Sequence, residues 1–133
     1  MENKSNQATP QRPDGDRMLN APLVEMDLNG FIAQMKEESA WAESDRNSMT
    51  IYKSDTMRIV ILGLRQNAEL KTHQANGIIS VQVLEGKINF VTEQKTVSVE
   101  KGQMIALHEN TPHSVMALTE TFFLLTLAMT SQK

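Results

Sequence analysis

HQANGIISVQVLEG, residues 73–86, is the stretch from which the fold of this 133-residue chain is read. A polar segment with one histidine leads into a run in which Ile79, Val81 and Val83 alternate with Ser80 and Gln82. Successive side chains of a strand point to opposite faces, so this period-two pattern predicts a strand with one buried face. The run stops at Glu85-Gly86, a tight-turn signal, and a second strand pattern begins at Lys87.

Outward from this block the theme repeats. The pattern predicts strands over Ser48–Lys53, Thr56–Arg65, Leu70–Thr72, Ile78–Leu84, Lys87–Thr92, Thr96–Glu100, Gln103–His108, Ser114–Leu118 and Thr121–Ala128. Turn residues part them, at Ser54-Asp55, Gln66-Asn67, Asn76-Gly77, Lys101-Gly102 and Asn110 to Pro112 among others. Many short strands at regular spacing predict an all-β sandwich or barrel. Ile59 to Leu62 and Phe122 to Leu125 are apolar on both faces. A barrel wall has one inward face, so the outward one needs a cover, either the helix predicted upstream or a second copy of the chain. A homodimer is the partner expected on this ground.

Upstream of the strands, Leu28, Phe31, Ile32 and Met35 form one helical stripe, with Asp27 or Asn29 as cap and an end near Glu38. Leu23 and Val24 are expected to form a short edge strand. Trp41 has two readings, a plug at one end of the core or a ligand-stacking side chain at a pocket mouth. Residues 1–20 are polar and are expected to be a flexible tail. The remainder, 21–133, is expected to be one domain, with its barrel core at about 48–128.

Composition removes several functions. With a net charge of -3, the chain lacks the basic surface that nucleic acids or anionic membranes require. No apolar run approaches bilayer length, and the first residues have no signal-peptide core, so a cytoplasmic location is expected. The absence of cysteine excludes disulfides, thiolate ligands and a cysteine nucleophile. Nine methionines fit gap-filling in the core and at interfaces. There is no nucleophile elbow, phosphate loop or dinucleotide fingerprint.

From about Met57 to Ala128 the chain resembles the cupin superfamily in its small single-domain form. The first cupin motif, G-x5-H-x-H-x3,4-E-x6-G, corresponds here to NAELKTHQANGIISVQVLEG. Asn67 stands at the first glycine, His73 at the first histidine, Ala75 at the second, Ile79 at the glutamate and Gly86 at the last glycine. The second motif, G-x5-P-x-G-x2-H-x3-N, corresponds to GQMIALHENTPHSVMA. Gly102 and His113 match, while His108, Asn110 and Ala117 replace the proline, glycine and asparagine. The resemblance implies a double-stranded β-helix, the jelly-roll barrel, behind a short N-terminal helix.

It also implies a site. Cupins of this type hold a divalent metal with three histidines and a glutamate. Only His73 and His113 remain of that set, and Ala75 and Ile79 cannot ligate. A mononuclear catalytic site ordinarily needs three protein ligands. No metal cofactor is therefore favoured, and any ion would rest on His73 and His113 with His108 or Glu69 as an unusual third group. The two asparagines at glycine positions tolerate positive φ best among non-glycine residues, so the turns are expected to survive. His73 and His113 are expected to face each other in a pocket that Ala75, Ile79, Val81, Met104, Ala106 and Val115 make apolar. A histidine pair can hold an anion or exchange protons near neutral pH. The expected function is a metal-independent small-molecule binding or sensory module. The alternatives are a metal-dependent dioxygenase or isomerase and a barrel without ligand.

Overall fold

The computed structural model describes residues 19–129. Two helices, α1 (Leu28–Glu37) and α2 (Ser39–Glu43), precede nine strands. In order these are β1 (Arg46–Lys53), β2 (Met57–Leu64), β3 (Glu69–His73), β4 (Ile78–Glu85), β5 (Lys87–Thr92), β6 (Thr96–Glu100), β7 (Met104–Leu107), β8 (His113–Ala117) and β9 (Thr121–Ala128). All nine strands fall where the alternation predicts them. Asp27 caps α1, its carboxylate accepting from the Gly30 amide at 3.1 Å. The short helix α2 has too few residues for a periodic signal. The expected strand at Leu23-Val24 does not form; the segment is irregular and Leu23 is exposed.

The strands make two antiparallel sheets, ordered β1-β2-β9-β4-β7 and β3-β8-β5-β6. Their inner faces share one core, in which Ile79, Val81, Phe90, Val115 and Phe123 are buried. This is the two-sheet jelly roll that the spacing of strands and turns leads to. No helix among the described residues is long and apolar enough to cross a membrane.

A second core lies on the opposite face of the five-stranded sheet. There α1 and α2 bring Ile32, Met35 and Trp41 onto Met49, Ile61 and Phe122. Gly63 in the middle of β2 is explained by this layer. Its register partner is Phe122, and a Cβ on Gly63 would stand 2.5 Å from the Phe122 ring. Trp41, 4% exposed, packs against that ring at a 38° tilt, with 4.9 Å between centroids. The Arg65 guanidinium covers the indole at 4.3 Å and donates to the Trp41 carbonyl oxygen at 2.6 Å. Trp41 thus seals the sheet from outside. It is neither a plug at the barrel end nor a wall of a pocket mouth.

The helices also supply the cover that the doubly apolar strands require, over about half the sheet. Register places the other outward residues in rungs: Ile61, Leu124, Gln82 and Met104 in one, Ile59, Thr126, Ser80 and Ala106 in the next, and Met57, Ala128 and Ile78 in the last.

The tail expected over residues 1–20 lies outside the described residues as far as residue 18. Leu19 and Asn20 are buried, and the Leu19 carbonyl accepts from the Lys53 amide at 3.0 Å.

Asn67 has φ 71° and Asn110 φ 57°, so both occupy the left-handed region that the turns demand. Gly86 has φ 91°, and any Cβ there would collide with the Glu120 carbonyl oxygen.

Two stability outcomes follow. Gly63→Ala should lose about 1–3 kcal/mol in urea unfolding, and Phe122→Leu in the same chain should recover part of it. Asn67→Gly and Asn110→Gly should be close to neutral, whereas valine at either position should lose about 1–2 kcal/mol.

Candidate functional site

The two motif histidines meet. His73 at the end of β3 is the register partner of His113 at the start of β8, and their ring centroids lie 4.4 Å apart at a 58° tilt. Plain alternation would not put them together. Leu70 pairs with buried Val115, so with a period of two His73 would point outward, three residues on. The register shifts between Leu70 and His73, and this bulge turns His73 to the face of His113.

Their surroundings differ. His113 is 5% exposed and lies nearly parallel to the Phe90 ring, with centroids 5.2 Å apart. His73 is exposed. Each ring is oriented in the same way, by the backbone carbonyl two residues before it. The Nδ1 of His113 faces the Thr111 carbonyl oxygen at 2.9 Å, and the Nδ1 of His73 faces the Lys71 carbonyl oxygen at 2.7 Å. A carbonyl only accepts, so both Nδ1 atoms carry the proton and donate it. In neutral rings both Nε2 atoms then keep a lone pair. Neither Nε2 has a hydrogen-bond partner among the described residues.

Burial pushes His113 below its ordinary titration range. The Thr111 carbonyl opposes this by favouring the protonated ring, and the adjacent His73 adds to the downward push. A neutral His113 is a poor anion receptor, which weakens the anion reading of the pair. Near neutral pH His113 presents an acceptor at its Nε2.

The apolar wall differs from the expected one. Ile79, Val81 and Val115 are fully enclosed in the core rather than lining an opening, and Ala75 packs against the edge of that core. Met104 and Ala106 face the other way. On β7 the partners of Val81 and Ile79 are Ile105 and Leu107, and these turn inward. Met104 pairs with Gln82 and Ala106 with Ser80, on the outer face. A one-residue offset in reading β7 flips every side chain, because the repeat is two.

A cavity of about 380 Å³ opens beside the pair instead. Its walls are the β5–β6 turn at Thr92 to Gln94, the end of β7 at Ala106 to His108, and Thr111-Pro112. Thr92 is the register partner of His113, and Thr111 supplies the carbonyl that orients its ring. The cavity therefore abuts the backbone that carries His113. Sequence reasoning missed Thr92, Glu93, Gln94 and Thr111, which join only when two distant turns meet.

The donor set does not fit the metal that the fold family often carries. Among the described residues no three of His, Cys, Asp and Glu come together to hold an ion. Glu69 pairs with exposed Met116 on the outer face, and His108 lines the neighbouring cavity. Neither candidate third ligand joins the two imidazoles.

No protein-family model matches the chain, and no curated protein matches it. Solved structures do. An RmlC-like cupin from Desulfovibrio desulfuricans is 28% identical, with 62% of this chain and 81% of that one covered and a TM-score of 0.58. A conserved protein of unknown function from Streptococcus pyogenes is 25% identical over 68% of this chain and 80% of its own, with a TM-score of 0.63. Salicylate 1,2-dioxygenase from Pseudaminobacter salicylatoxidans is 22% identical over 63% of this chain but only 26% of its own, with a TM-score of 0.58. With two sheets in jelly-roll order and the motif turns in place, this chain has the fold of the small single-domain cupins. The structures it resembles include both enzymes and proteins without assigned activity, so the fold leaves the activity open.

The state of His113 predicts a pH dependence. The unfolded chain takes up a proton near pH 6.5, whereas the folded ring resists it to lower pH. Its contribution to stability is therefore complete above about pH 6.5 and is lost as pH falls through the depressed folded value. Urea midpoints measured from pH 7.5 down to pH 5 should decline, and His113→Phe should flatten that decline. An NMR titration should place His113 below the ordinary histidine range.

Proposed function

We propose that this protein binds a small organic molecule through His73 and His113, as a binding or sensory module rather than a metal enzyme. The observation that supports the reading is the pair of Nε2 lone pairs on adjacent rings, both fixed by backbone carbonyls. Two acceptors side by side select a ligand with two donor hydrogens, such as a vicinal diol or an amino alcohol. The stacked Phe90 ring and the neighbouring cavity favour a compact carbon skeleton. The Nδ1 bonds hold both rings before binding, which lowers the ordering cost of the complex. His73 is the accessible group that meets the ligand first, and His113 is the buried anchor.

The enzyme reading draws on the salicylate 1,2-dioxygenase likeness. It requires a third ligand that the described residues do not bring to the pair.

Two measurements test the proposal. Cyclohexanediol should shift the His73 and His113 ring signals in NMR, while its dimethyl ether, which only accepts, should not. His113→Phe should weaken the diol at least tenfold, about 1.4 kcal/mol. Equal binding of diol and diether would refute the acceptor pair. One tightly held metal per chain, found by mass spectrometry after incubation with manganese, iron, nickel or zinc, would replace this reading with the enzymatic one.

A further inference from the structure

Asparagine followed by glycine occurs twice in the chain, at Asn29-Gly30 and at Asn76-Gly77. Asparagine is a thermolabile residue, and this neighbour makes it more so. The glycine nitrogen, crowded by no side chain of its own, can attack the side-chain amide carbon of the asparagine before it. The fold treats the two sites differently.

At the first site the nitrogen is engaged. Asn29 and Gly30 lie in the first turn of α1, and the Gly30 amide donates to the Asp27 carboxylate at 3.1 Å. A five-membered ring cannot close at helical ψ without unwinding that turn.

At the second site neither restraint is present. Asn76 and Gly77 form a bend between β3 and β4, outside both strands. Asn76 is exposed, and among the described residues its side chain has no hydrogen-bond partner and the Gly77 amide donates to no backbone carbonyl. Asn67 and Asn110 are explained by their positive φ, which Asn76 does not share. Gly77 cannot change, because a Cβ there would collide with the Ala128 carbonyl oxygen. The bend thus requires its glycine and leaves a reactive asparagine in front of it.

We infer that Asn76 is a self-modification site, at which the folded chain deamidates beside its histidine pair. The Gly77 nitrogen bonds to the Asn76 side-chain carbon, the carbon–nitrogen bond of the side-chain amide breaks, and ammonia leaves with the Gly77 amide proton. Water then opens the cyclic imide. Cleavage between nitrogen and the side-chain carbon restores the main chain and leaves aspartate. Cleavage between nitrogen and the main-chain carbonyl carbon leaves isoaspartate, with the chain running on through the side chain and one carbon longer. Water is the only co-reactant.

Either product carries a new carboxylate three residues after His73. The isoaspartyl product also lengthens the chain between two fixed points. One is Ala75, whose carbonyl oxygen accepts from the Asn110 amide at 2.9 Å, and the other is Gly77, seated on Ala128. The Ala75–Asn110 bond ties the segment after His73 to the segment before His113, so a change at Asn76 is felt at the pair.

The full chain, held folded at mildly alkaline pH and mapped by trypsin and mass spectrometry, tests this. Cleavage after Lys36, Lys71 and Lys87 puts the two sites on separate peptides. Asn76 should exchange amide for acid at least tenfold faster than Asn29. In urea, where the helix and the Asp27 contact are gone, the two rates should converge. In the converted chain the His73 ring signals should shift in NMR, as they should in Asn76→Asp. A folded chain in which Asn76 keeps its amide as long as Asn29 would overturn the inference. So would a tenfold difference that persists in urea, because local sequence and not the fold would then set it. Conversion that leaves the His73 signals unmoved would overturn the link to the histidine pair.

Discussion

β9 must bury both of its faces, and the rest of the molecule is arranged to allow it. Phe123 points into the space between the sheets, and Phe122, one residue earlier, points out of it. A side chain of that size left in water forfeits about 2–3 kcal/mol of burial. The inner face is served by the second sheet. The outer face is served by the helices: Gly63 makes room, the Phe122 ring fills it, Trp41 packs against the ring at a tilt and Arg65 closes over the indole. The N-terminal helices are therefore a third layer of the fold. They also remove the main reason the sequence offers for a partner over that half of the sheet, leaving only the half they do not reach.

The candidate site depends on a local irregularity. Without the bulge between Leu70 and His73 the two imidazoles would lie on opposite faces of their sheet. With it they sit together at one end of β3 and β8, where the core ends and solvent begins. That boundary makes the rings unequal, one enclosed against Phe90 and one accessible. The same two backbone contacts that steady the rings settle their tautomers, and the tautomers decide what they can bind. Loss of the other two family ligand positions is structural as well as chemical. Ile79 has become part of the closed core and Ala75 packs at its edge, so the space a metal shell would occupy is partly hydrocarbon.

The turns tell a complementary story. Asn67 and Asn110 stand where the family uses glycine, and both keep the left-handed backbone. The bends that aim β3 and β8 at each other thus persist while the side chains between them have changed. Backbone geometry and ligand chemistry are separable here, because a turn needs only a residue that tolerates positive φ, whereas coordination needs particular donor atoms.

By itself the sequence determined the strands, the turns between them, the capped helix, the jelly-roll class and the pairing of His73 with His113. Each of these rests on short-range regularities, period two, period 3.6 and turn chemistry, or on motif spacing. It misplaced Met104 and Ala106, because β7 has four residues and its pattern, apolar on both faces, does not say which face is inward. It could not show the role of Trp41, the reason for Gly63 or the cavity walls at Thr92 to Gln94 and Thr111, since each is a meeting of residues far apart in the chain. Only the tertiary structure decided these, and it decided the state of the histidines for the same reason. A tautomer is set by which carbonyl lies beside which nitrogen, and a titration range by how much water is left around the ring.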